Sequence, residues 1–146
     1  MGAIVNSWDE LRAVFVQKQG ANCCEKVNAY MERLHWYPDT FEARTGQSLD
    51  TYRRIARGDL VTPRKSMVMA LCIGLGLDYR MATDLLQSAG YALSPTEKTD
   101  TAYDYVLLMH PGQGLDICNR ELKARDVKPL GEKERKPDRI GQKQLA

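Results

Sequence analysis

The chain has 146 residues, 43% of them hydrophobic and 27% charged, with a formal net charge of +2. That is enough apolar material for one compact domain with appendages, and a charge so mild argues by itself neither for nor against nucleic acid. No stretch is long and apolar enough to span a bilayer, and no basic segment precedes an apolar run at the N-terminus, so neither a membrane-spanning helix nor a signal peptide is expected, and a cytoplasmic location is expected. Met1-Gly2 lacks the Ser or Thr of an acylation signal, because Asn6 stands there.

Ser7-Trp8-Asp9-Glu10 reads as a capping box ahead of Leu11, Val14 and Phe15, and predicts a helix from about Trp8 to Lys18 that Gly20 ends. Val27, Tyr30, Met31 and Leu34 recur at helical spacing and predict a second helix from about Cys23 to His35. Trp36 and Tyr37 lead to Pro38, which suits a first helical position because no N–H is needed there. The short helix it opens buries Phe41 and runs to Arg44 or Thr45. Gly46 supplies a left-handed C-terminus that a Cβ resists, and Ser48 follows as an N-cap.

In the next helix Tyr52, Ile55 and Ala56 share one face, while Asp50, Arg53, Arg54 and Arg57 share the other. Gly58 closes it. Thr62-Pro63 then reads as an N-cap followed by Pro at the first helical position. Met67, Val68, Ala70, Leu71, Cys72 and Leu75 give that helix so wide an apolar face that neighbours on two sides are expected. Asp78 caps a helix carrying Met81, Ala82, Leu85, Leu86 and Ala89, ended by Gly90. Ser94-Pro95-Thr96-Glu97 is a further capping box, opening a helix to about Met109. His110-Pro111-Gly112-Gln113-Gly114 breaks the chain, and a last helix from Leu115 to Arg125 carries Ile117, Cys118 and Leu122. From Glu132 onward the sequence is charged and nearly free of apolar residues, the composition of a disordered tail.

Charge is unevenly distributed. Arg44, Arg53, Arg54, Arg57, Arg64 and Lys65 crowd one stretch against Glu42, Asp50 and Asp59, whereas Met67 to Asn119 is acidic. A local positive patch on a near-neutral body is the footprint expected for phosphate contacts. The bland alternative is a solvated polar face.

The cysteines, Cys23, Cys24, Cys72 and Cys118, form no C-x-x-C pair. Reduced thiols are expected, with no metal and no cofactor. His35 and His110 lie in no nucleophile–base–orienter pattern, and Gly74-Leu75-Gly76 lacks the lysine of a phosphate loop, so no enzyme is expected.

The run Phe41, Arg44, Thr45, Gly46, Ser48, Thr51, Arg54, Ile55 and Gly58, with Tyr52 at an apolar position, resembles the lambda-repressor-like, Cro/C1-type (XRE) helix-turn-helix family. Thr62-Pro63 matches as well, and a looser likeness extends from about Glu25 to Leu86. Ala89-Gly90-Tyr91-Ala92-Leu93 and the Leu107 to Leu130 region resemble a helical extension of some bacterial members. The resemblance implies an all-α fold: a five-helix lambda-repressor-like core with an N-terminal helix and a two-helix C-terminal extension. The corresponding divisions are 1–20 for the N-terminal helix, 21–93 for the helix-turn-helix domain, 94–131 for the extension and 132–146 for the tail.

It also implies sequence-specific binding to double-stranded DNA as a homodimer, in a bacterial or phage transcriptional regulator. Leu49, Asp50 and Arg53 fall at base-reading positions, and Ser48, Thr51, Arg57, Thr62, Arg64 and Lys65 are the phosphate candidates. Arg54 falls where the family often has a bracing ion pair. The helices around Ala102, Val106, Ile117 and Leu122 offer either a dimer surface or packing onto the core.

Three positions depart from the family pattern. Glu42 stands where a small residue is preferred, Pro38 where many members have a phosphate-touching glutamine, and Gln47 where an apolar residue pins the turn. These fit a rival reading, a protein-binding module on the same scaffold such as an antitoxin or a phage counter-defence protein.

Overall fold

The computed structural model describes residues 2–131, and the tail expected beyond Glu132 lies outside them. Among the described residues the fold is all-α, with eight helices and no strand: α1 Gly2–Gln17, α2 Cys23–Arg33, α3 Pro38–Thr45, α4 Leu49–Ala56, α5 Lys65–Leu75, α6 Tyr79–Ser88, α7 Lys98–Met109 and α8 Leu115–Ala124.

Helix α5 is the axis. Its residues from Val68 to Leu75 are all buried, and α2, α3, α6 and α8 pack against it. A helix apolar all round has to be surrounded, which is the outcome its wide apolar face predicts. The core is continuous with Leu11 and Val14 of α1, Phe41 of α3, Ile55 of α4, Val106 of α7 and Leu122 of α8. Val127 and Leu130, beyond the last helix, are buried in it too.

Several boundaries differ from the sequence reading. Helix α1 already runs from Gly2, so Ser7-Trp8-Asp9-Glu10 lies inside a helix and opens none. Helix α2 ends at Arg33, with His35 in the left-handed region at φ 58°. Its N-cap is Asn22, whose side chain accepts from the Glu25 N–H at 2.9 Å while Glu25 reaches back to the Asn22 N–H, a capping box not singled out from the sequence.

Helix α5 starts at Lys65, after an Arg64 N-cap. Thr62-Pro63 therefore precedes the helix and does not begin it. The reason is tertiary: Pro63 is buried, and its carbonyl accepts from the Tyr91 hydroxyl at 2.7 Å. Helix α7 likewise starts at Lys98, because Ser94 is used in a local turn, accepting from the Thr96 N–H at 3.2 Å. The Ser94 N–H meanwhile donates to Asp100 at 2.9 Å.

One close approach fixes the position of α3. A Cβ placed on Gly74 of α5 would lie 2.7 Å from the Arg44 carbonyl oxygen and 2.7 Å from Thr45 Cγ2. Both obstacles belong to well-packed structure, so neither can swing aside. Gly74→Ala is therefore expected to destabilise the fold by about 1–3 kcal/mol, the ordinary cost of overpacking. Urea unfolding would read this as a lower midpoint at unchanged slope.

Candidate nucleic-acid interface

The bend between α3 and α4 is built by local chemistry. Thr45 is fully buried, and its hydroxyl donates to the Phe41 carbonyl at 2.7 Å and accepts from the Gln47 N–H at 3.1 Å. Gly46 takes φ 70°, and its N–H returns to the Glu42 carbonyl at 2.9 Å. Ser48 then caps α4, its hydroxyl accepting from the Thr51 N–H at 3.1 Å. The two helices leave this corner with their directions set.

Helix α4 is held on one side only. Ile55 is 1% exposed, and Tyr52 tilts against Phe41 with ring centroids 5.4 Å apart. From α2, Asn28 Nδ2 donates to the Ile55 carbonyl at 2.8 Å, which fastens the C-terminal end. That bond has no sequence signature, because an asparagine on an amphipathic helix reads as solvated. Asp50, Arg53, Arg54 and Arg57 all face solvent. Ala56 does as well, so it does not share the buried face expected of it. An eight-residue helix packed through a narrow stripe leaves its flank outside.

The candidate contact residues divide by what already occupies them. Leu49 is half-buried at the start of α4, and Asp50 is exposed beside it. Ser48 is exposed and Thr51 half-buried, their hydroxyl oxygens 3.2 Å apart. Arg53 and Arg54 make no ion pair among the described residues, so the brace expected of Arg54 is absent there. Arg57 Nε donates to Asp59 at 2.8 Å, an exposed pair that solvent weakens. Thr62 and Arg64 are exposed in the segment before α5. A cavity of ≈ 320 Å³ opens between Arg54 of α4 and the stretch from Asp59 to Arg64.

Lys65 is placed differently. Its Nζ donates to both oxygens of the buried Asp100, at 3.0 and 2.9 Å, and to the Ala92 carbonyl at 3.1 Å. It also lies 5.7 Å from the centre of the Tyr91 ring. An ammonium with three donors engaged has none left for a phosphate, so Lys65 is a fastening between α5 and α7 and leaves the candidate interface.

Away from this face little chemistry is assembled. All four cysteines are buried and free, and burial pushes the Cys23 and Cys118 thiols up to about 11, which keeps them protonated and inert. Among the described residues no group of His, Cys, Asp and Glu could hold a metal ion, and no helix is long and apolar enough to cross a membrane. Comparison with protein-family models, with curated proteins and with solved structures finds no match to this chain.

Two measurements follow from these fastenings. Ser48→Ala removes the α4 cap and is expected to cost about 1 kcal/mol, with faster amide exchange at Thr51. For Asp100, burial raises the carboxyl's pKa, but the Ser94 N–H and the Lys65 ammonium together outweigh it and hold the group below the ordinary carboxylate range. The stability this contributes is complete above the unfolded aspartate value of about 4 and drains away as pH falls through the lower folded value. Asp100→Asn should thus be clearly less stable than the parent at neutral pH. The gap should narrow on acidification to about pH 2, as urea midpoints would record.

Proposed function

We propose that this chain is a sequence-specific binder of double-stranded DNA and a transcriptional regulator of the lambda-repressor-like class, with α4 entering the major groove. The supporting observation is the corner at Gly46, with Ile55 turned inward and Arg53, Arg54 and Arg57 turned to solvent on one short helix. Helices α2 to α6 are the five that this reading takes as the core of the fold. In this reading Arg53 pairs with guanine O6 and N7, Asp50 accepts from cytosine N4 and Leu49 touches a thymine methyl. Ser48, Thr51, Arg57, Thr62 and Arg64 meet phosphates, helped by the backbone N–H groups of the first turn of α5. A homodimer on paired half-sites supplies the affinity that one short helix lacks.

The rival is a protein partner for the same face. It is favoured by the exposed Glu42 and Asp50 and by the engagement of Arg57 and Lys65 within the chain, all of which thin the positive field. Selection from random duplexes at moderate salt separates the two. DNA binding predicts a recovered palindrome and retention that falls steeply with salt. Arg53→Ala should cost about 1–3 kcal/mol and relax one base position, whereas Arg57→Ala should lower the salt slope by about one and weaken all sequences alike. Failure to retain any duplex at low salt would leave the protein partner as the better reading.

A further inference from the structure

A second concavity lies away from the outer face of α4, where the middle of α1 meets the C-terminal ends of α2, α3 and α5. Its volume is ≈ 330 Å³, within the range of about 300–1,000 Å³ usual for small-molecule sites. Among the described residues, Trp8 and Trp36 stand in its wall with Leu11, Leu34 and Leu75. Gly76 and Gly112 complete the lining, both at positive φ and with no side chain to fill the space.

Among the described residues one charged group lines this cavity, the guanidinium of Arg44. It lies 5.8 Å from the centre of the Trp36 ring and makes no ion pair among the described residues. The geometry points to a binding site for a small aromatic carboxylate. The two indoles and three leucines take a single ring by stacking and apolar burial. The planar fork of Arg44 takes the carboxylate through two parallel hydrogen bonds. Indole faces also attract cations, but the cation already held over Trp36 belongs to the protein, so a second positive charge is repelled and a negative one is drawn in. Of the carbonyls at the end of α5, which oppose an anion, those of Ile73 and Cys72 are engaged by the Gly76 and Leu77 N–H groups, each at 3.1 Å, and the Arg44 charge has to outweigh the rest.

The chain has two tryptophans and both line this cavity, so indole emission reports occupancy directly. The full chain would be titrated with phenylacetate and with its uncharged counterpart phenylacetamide. Saturable quenching or a spectral shift with phenylacetate, and weaker binding of the amide, is the expected result. Arg44→Gln, a change at an exposed side chain, should weaken phenylacetate about tenfold, the size of one lost charge-assisted contact, and leave the amide unchanged. Arg44→Lys, which keeps the charge without the fork, should fall between the two, and circular dichroism would verify that both variants are folded. Absence of any saturable change with phenylacetate overturns the proposal. So does equal binding of acid and amide, or an Arg44→Gln variant that weakens both alike.

Discussion

A helix with no solvent face beyond its first turn organises this molecule. From Val68 to Leu75 every residue of α5 is buried, so each neighbour has to supply a complementary surface, and the places where those neighbours come closest set the angles of the fold. One of these places is Gly74, which meets the Arg44 carbonyl and the Thr45 side chain. The last turn of α3 is thereby seated on the core, and the bend that follows inherits its position. Helix α4 hangs from that bend through Ile55 and Tyr52. The outward direction of Arg53 and Arg54 is thus settled by a missing side chain on another helix.

Polar fastenings do the rest, and they sort the basic residues into two kinds. Lys26 is 3% exposed, bonded to Asp84 at 2.9 Å and to the Lys18 carbonyl at 2.8 Å. Lys65 is bound to Asp100 in a similar way. Lys26 is a cation taken out of water and Lys65 a half-buried one; each is matched by a carboxylate and a carbonyl, and neither remains for an external polyanion. Arg53, Arg54 and Arg64 stay in solvent. A count of charges along the sequence treats these groups as equal, whereas only the second kind contributes an accessible field.

What the sequence disclosed follows the range of the interactions concerned. The corner from Pro38 to Gly58 was legible because each of its devices acts over a few residues: a proline at the first helical position, Gly46 in the left-handed region, Ser48 as cap. The burial of α5 was legible from its apolar width. The starts of α5 and α7 were misplaced because Thr62-Pro63 and Ser94-Pro95 are locally good openings, overruled by Tyr91 and Asp100 from elsewhere in the chain. Asn28 and Asn119 could not be found in advance. The amide of Asn119 donates to the Leu130 carbonyl at 2.9 Å and accepts from the Leu130 N–H at 2.8 Å, a clamp whose two halves have no sequence signature. The box at Asn22 and Glu25 is local, an asparagine cap with a glutamate three residues on, and is of the legible kind.

That clamp has a further effect. It delivers Gly131 to the bend, where a Cβ on Gly46 would stand 2.8 Å from the Gly131 carbonyl oxygen and 2.9 Å from its Cα. The turn early in the chain therefore gains its last neighbour from a residue translated long after it. Domains form as units while the polypeptide lengthens on the ribosome, and contacts of wide sequence separation close late. The corner that presents α4 to solvent stays incompletely braced in the nascent chain until Gly131 has emerged.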